Sequence, residues 1–294
     1  MGLLYHVVDV FAERKYQGNQ LAVVNADGGL PDDLMLGITR EMNYSETTFI
    51  ESHDRETQAY RVRIFTQVGE TPFAGHPTLG TAYVIQKTMV EERVDTVTLD
   101  LKVGKIPVKF TYLKGEPDVL WMKQLNPTFG KIHEPKMFAG FLGIDVEDID
   151  QRYPIQEVST GFPFFIVPLK NRKALEKSKL RKEPFLDYVS STESKAPLIF
   201  CPEPRDEKNQ LACRMFASYF GVEEDPATGS ANGCLAGYLA RHRYFGSAHV
   251  DVRVEQGYEM GRPSLLYLRS EDKGDHVEVS VGGKCVMVAR GELV

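Results

Sequence analysis

Three ionisable side chains stand where the surrounding sequence could turn them to chemistry: Glu46, His76 and Asp225. Glu46 lies between Ser45 and Thr47, with Phe49 and Ile50 following, so a carboxylate is delivered where a half-buried strand begins. His76 sits in Thr71-Pro72-Phe73-Ala74-Gly75-His76-Pro77-Thr78-Leu79-Gly80, after a strand-like run over 60–66 and before an apolar helix predicted over 77–89. Pro77 suits a first helical turn, where its missing N–H has no intrahelical acceptor to lose. Gly75 lets a ligand or another segment approach the backbone. The free N–H groups of such a helix start favour an anion by about 0.3–1 kcal/mol each. Asp225 opens the same construction again, as Asp225-Pro226-Ala227-Thr228-Gly229-Ser230-Ala231-Asn232-Gly233 before an apolar helix predicted over 234–241. Setting Gly75 on Gly229, an offset of 154 residues (229 − 75), also aligns Pro72 with Pro226, His76 with Ser230 and Ala82 with Ala236. Taken singly, each residue has an ordinary explanation: a solvated carboxylate at a turn, a histidine bonded to a core carbonyl, a turn aspartate. Two helix mouths facing one cleft would gather them into a site.

Other chemistries are disfavoured by what is missing. Gly69 to Gly75 lacks the lysine of a phosphate-binding P-loop, no G-x-G-x-x-G follows a strand, and Thr228-Gly229-Ser230-Ala231-Asn232 is not a nucleophile elbow. The seven histidines show no pairing with Cys or Glu at metal-ligand spacing. With 35 basic and 41 acidic residues the net charge is −6, and no basic cluster interleaves with aromatics, which argues against nucleic acid. No apolar run approaches membrane-spanning length, and the start, Met1-Gly2-Leu3-Leu4-Tyr5-His6, does not read as a secretory signal or a myristoylation motif. Four widely spaced cysteines with no C-x-x-C predict reduced, mostly buried thiols and a cytoplasmic location.

The elements that must position these residues form a plan that is made twice. In the first half, strands are predicted over 3–10 and 21–25, a helix over 31–42, the turn and strand of Glu46, the 60–66 strand, the long apolar helix, and antiparallel strands over 96–101, 105–112 and 119–122. A Pro- and Gly-containing connector over 126–135 sets the boundary, giving domains 1–125 and 126–294, with the last strand able to return to the first domain. In the second half, strands over 155–159 and 164–168 precede a helix over 173–189 that is broken near Pro184. Strands over 196–200 and 211–217 lead into the second helix mouth, and a strand-rich tail follows. Both long helices are apolar on nearly every face, as buried helices are. The fold class expected is therefore α+β: two similar domains, each a strand-rich roll wrapped around a central helix.

Longer stretches carry a resemblance to a known family. Asn43-Tyr44-Ser45-Glu46-Thr47-Thr48-Phe49, Pro72 to Gly80 and Glu224 to Gly233 together resemble the phenazine-biosynthesis PhzF-like family. Gly18-Asn19-Gln20-Leu21-Ala22-Val23-Val24, Gln256-Gly257, Gly261-Arg262-Pro263-Ser264 and Arg290-Gly291-Glu292-Leu293 match as well, in order and over essentially the whole chain. The resemblance implies the diaminopimelate-epimerase-like fold with domains related by a pseudo-twofold axis and the active site between them. It further implies a homodimer and no metal or organic cofactor. It makes Glu46 the catalytic acid/base that takes a proton from one carbon and returns it to another. His76 and Asp225 would bind the substrate's polar groups, Gly75, Gly229 and Ser230 would hold a carboxylate at the helix mouths, and Asn19 would line the cleft. Two departures, Gln20 where Pro is usual and Gln67-Val68-Gly69 after Thr66 where a Pro is common, are expected not to touch the site, with the second able to reshape a cleft loop.

The same resemblance sharpens the chemistry. Cofactor-free epimerases of that fold place a cysteine at each helix mouth; the matching positions here carry Ala74 and Thr228, neither of which is a base. The expected activity is a cofactor-independent isomerisation that moves a proton on a small carboxylate-bearing metabolite. An epimerase using Glu46 with His76, and a non-catalytic metabolite-binding protein on the same fold, stand as alternatives.

Overall fold

The computed structural model describes residues 2–294; Met1, with which the first predicted domain begins, lies outside the described residues. In chain order the elements are β1 (Leu3–Val10), β2 (Asn19–Asn25), α1 (Asp32–Met42), β3 (Glu46–Asp54), β4 (Ala59–Thr66), β5 (Gly69–Thr71), α2 (Gly75–Thr88), β6 (Thr96–Leu101), β7 (Gly104–Leu113) and β8 (Glu116–Lys123). There follow β9 (Thr128–His133), α3 (Pro135–Leu142), β10 (Ile155–Ser159), β11 (Pro163–Pro168), α4 (Arg172–Lys177), α5 (Lys182–Val189), β12 (Pro197–Cys201), β13 (Leu211–Phe216) and β14 (Glu224–Asp225). The chain ends with α6 (Gly229–Arg241), β15 (His249–Gln256), β16 (Ser264–Asp272), β17 (Val277–Gly283) and β18 (Cys285–Leu293). It divides into one unit of Met1–Met122 with Gly282–Val294 and a second of Lys123–Val281. The division falls three residues before the expected boundary, and the last strand belongs with the first unit because β18 pairs antiparallel with β1 from Leu3↔Leu293 to Val10↔Cys285.

In the first unit β1 also pairs with β2, β2 runs parallel to β3, β3 and β4 are antiparallel, and β4 runs parallel to β6 before the β6–β7–β8 meander. These strands wrap α2, which packs against β1, β2, β3, β6, β7 and β18. Twelve of its residues, Gly75 through Gln86, are buried, which is why the sequence shows no polar face there. A Cβ on Gly80 would stand 2.6 Å from Leu21 and 2.7 Å from Val10, so the helix lies closer to β1 and β2 than a side chain permits. A buried polar contact crosses this interface as well, Thr48 Oγ1 to Thr81 Oγ1 at 2.8 Å.

The second unit repeats the order. β9 pairs with β10 as β18 pairs with β1; β10–β11 and β12–β13 are antiparallel, β11–β12 and β13–β15 parallel, and β15–β16 antiparallel. The wrapped helix is α6, buried over nearly its whole length against β10, β11, β12, β15 and β16. β9 occupies most of the expected connector. The expected helix over 173–189 is two helices, and its break lies at residues 178–181, while Pro184 sits harmlessly in the first turn of α5. Among the described residues no helix is long and apolar enough to cross a membrane.

Candidate active site

Both long helices begin earlier than periodicity predicted, and each begins on its aligned glycine: α2 on Gly75 and α6 on Gly229. The preceding residues, Ala74 and Thr228, are extended, and neither side chain caps its helix. The first N–H groups of both helices are thus left to solvent or a ligand.

In the first unit, Glu46 is the first residue of β3, opposite Thr66 of β4. The turn that precedes it is held from below: Gln67 Nε2 donates to the carbonyl of Tyr44 at 2.9 Å and to that of Thr39 at 3.3 Å. His76, in the first turn of α2, is only 6 % exposed, and its Nε2 stands 3.5 Å from Glu46 Oε2. Burial drives the imidazole's pKa down to about 3, against a smaller opposing effect of its bond to the Gln20 backbone. The ring is therefore neutral near pH 7, and its contact with Glu46 is no ion pair. Nε2 makes no hydrogen bond, so the ring's bond to the Gln20 carbonyl uses Nδ1–H. That fixes the tautomer and leaves the Nε2 lone pair facing the Glu46 carboxyl. Asn19, buried beside Gln20 at the start of β2, completes this group. The two departures do reach the site after all: Gln20 acts through its carbonyl, which any residue type supplies, and Gln67 through its amide.

In the second unit, Asp225 ends the short β14, Gly229 is the buried first residue of α6, and Ser230 follows it, half-buried. The Thr228 hydroxyl donates to Asp225 Oδ2 and fixes that carboxylate over the helix start. Behind them lies Gln256, at the end of β15 and 1 % exposed. Its Nε2 donates to the Asp225 carbonyl at 2.8 Å and to Thr228 Oγ1 at 3.2 Å. Its Oε1 accepts from Asn232 Nδ2 at 2.8 Å and from the Thr228 N–H at 3.2 Å. The next residue, Gly257, has φ +78°, and a Cβ there would lie 2.5 Å from the Pro226 carbonyl oxygen. Gln256 and Gly257 therefore build this helix mouth; the sequence marked them only as part of a longer resemblance. The structure thus gathers Asn19, Glu46, Gly75 and His76 in one unit, and Asp225, Gly229 and Ser230 in the other.

The sequence matches the phenazine biosynthesis-like protein family over residues 8–291. The chain belongs to that family. It is 34% identical over 288 residues to the trans-2,3-dihydro-3-hydroxyanthranilate isomerase of Pseudomonas aeruginosa, covering 98% of each chain. The crystal structure of a PhzF-family phenazine biosynthesis protein of Bacillus anthracis superposes with a TM-score of 0.90 at 28% identity, covering 100% of this chain and 99% of that one. A probable proline racemase of Agrobacterium radiobacter, with a TM-score of 0.65 at 10% identity over 99% of this chain and 93% of its own, shares the fold alone. The fold class expected from the sequence is thus the one found. The racemase-like fold meets here two helix mouths without a thiol. The four cysteines are buried and free, and burial pushes the Cys201 thiol to about 11 and that of Cys234 to about 12.

Proposed function

We propose that this family member is an isomerase that moves a proton from one carbon to another of a small, conjugated, carboxylate-bearing substrate, with Glu46 as the shuttle. The observation that carries the reading is the Glu46–His76 contact, in which a carboxyl faces the lone pair of a histidine kept neutral by burial. With Nδ1–H committed to Gln20, Nε2 welcomes Glu46 in its protonated form and repels it mildly as the anion. The Nε2 lone pair is thus placed to accept a hydrogen bond from Glu46 once the carboxylate has taken the substrate's proton. The C–H bond breaks as Glu46 takes the proton, and the electron pair moves along the conjugated system. A new C–H bond forms as Glu46 returns the proton at another carbon. Nothing is oxidised or reduced, and protein groups complete the step without a metal or organic cofactor.

In this reading the N–H groups at Gly75 in the first unit, and at Gly229 and Ser230 in the second, are each suited to a carboxylate; His76 and Asp225 are suited to an amine or hydroxyl, and Asn19 shapes the wall of its own unit's helix mouth. The compound to try first is trans-2,3-dihydro-3-hydroxyanthranilate, after the name of the Pseudomonas aeruginosa relative. We further propose a homodimer, to be checked by light scattering. The four free, buried thiols support a reducing compartment such as the cytoplasm.

The test is turnover of that compound, followed by NMR in D2O, for the native chain and Glu46→Gln. Glutamine keeps the size but accepts no proton, so turnover should fall by on the order of 10² or more while the melting temperature holds. Full turnover by a normally folded Glu46→Gln variant would remove Glu46 from the mechanism. No turnover by the native chain would remove the substrate.

A further inference from the structure

Alternate positions of β1 read Leu4, His6, Val8 and Val10: Leu4 is exposed, Val8 and Val10 are buried, and a single imidazole stands between them. His6 is 7 % exposed and makes no hydrogen bond among the described residues. It lies on the wall of a cavity of about 430 Å³ at the end of the roll beyond the last turn of α2, the end opposite Gly75 and His76. Val23, Ile50 and Val84 supply an aliphatic wall, Asn25 an amide, and Arg290 a guanidinium at the rim. Arg290 stands directly opposite His6 in the β1–β18 register, and no carboxylate pairs with it among the described residues. Lys87 also lines the cavity, but its ammonium is taken by Glu116.

We propose that this cavity is a second ligand site, separate from the Glu46 site, for a small carboxylate with an apolar tail. The carboxylate would accept from Arg290 and His6 together, and the tail would lie on Val23, Ile50 and Val84. The volume is that of a ligand pocket, and aliphatic walls with a few convergent donors are the composition such pockets have. The carbonyl end of α2 points the same way and on its own would attract a cation. Lys87 and Arg290 already bring positive charge to it, and what remains unmet is a pair of donors. Arg290 further lowers the pKa of His6, which burial has already lowered, so the two groups are adjacent and mutually unfavourable until an anion sits between them.

The experiment is a titration of the full chain with benzoate, followed through the imidazole carbon-bound proton signals, with the His6 signal identified by its loss in His6→Asn. A saturable shift of the His6 signal with a Kd on the order of 1 mM or tighter is expected. The same titration on Arg290→Gln, a change at an exposed position that leaves the fold intact, should weaken it about tenfold or more. In Glu46→Gln the His6 response should be unchanged. No His6 shift in a folded protein, a shift confined to His76, or equal affinity in Arg290→Gln would each overturn the site. A parallel titration with inorganic phosphate should show weaker binding, and phosphate binding as tightly as benzoate would overturn the apolar-tail assignment.

Discussion

His76 should make this protein acid-sensitive by an amount that can be worked out before any substrate is in hand. Its imidazole has an ordinary pKa of 6.5 in the unfolded chain and about 3 in the folded one, because burial disfavours the imidazolium. Between those values the unfolded state binds a proton that the folded state refuses, so stability falls as pH falls, at about 1.4 kcal/mol per pH unit. The loss begins near pH 6.5, reaches about 3 kcal/mol near pH 4.5 and would total about 5 kcal/mol at pH 3. His76→Asn places an amide N–H where Nδ1–H was, so the Gln20 carbonyl keeps its donor and nothing at the position titrates. His6 and His242, whose pKa values burial also lowers, contribute equally to both proteins and cancel in the difference. Urea unfolding of the native chain and the variant at about pH 7.5 and about pH 4.5 gives the four free energies needed. The native chain should lose about 3 kcal/mol more than the variant over that interval. Equal losses would mean that His76 is protonated in the folded state, and the neutral-ring account of Glu46 would fall with it.

Two further outcomes test the second helix mouth and the chemistry of both. Gln256→Leu removes a buried amide that serves Asp225, Thr228 and Asn232 at once, and should cost about 2–4 kcal/mol in denaturant unfolding; a loss under about 1 kcal/mol would show the brace to be dispensable. Ala74→Cys combined with Thr228→Cys puts a thiol at each helix mouth, where its pKa is lowered, yet should give no α-proton exchange on free amino acids in D2O. Detectable exchange would show that the pocket already accepts such substrates.

The sequence made the two wrapped helices plain, because a helix that is buried on every side has no polar stripe and announces itself by that. It placed Glu46 at the start of a strand and His76 at the mouth of a helix, but gave no sign that the two side chains meet. The bond that sets the tautomer of His76 was out of reach, since it is made by a main-chain carbonyl and Gln20 has no side-chain signature for it. β9 was read as connector because its residues are mostly exposed and show no alternation. The break between α4 and α5 was assigned to Pro184, the nearest breaker in sequence. Its cause is distant: Arg214 on β13 donates to the carbonyls of Leu175 and Ser178, ending α4 with a side chain 36 residues or more away. Interactions of that span leave no local pattern to read.

The pairing of β18 with β1 bears on how the chain reaches this fold. Leu3 and Leu293 are partners, so the strand that completes the first unit is synthesised only after the whole of the second unit. Until β18 emerges, β1 has β2 on one side and an open edge on the other, and α2 lacks one of the strands that cover it. Closing a loop that spans nearly the whole chain is slow, and an unpaired strand edge invites wrong partners while it waits. The second unit carries its own closing strand, β9, immediately before β10, and can be finished while synthesis continues. The half that holds Glu46 and His76 is made first and closes last.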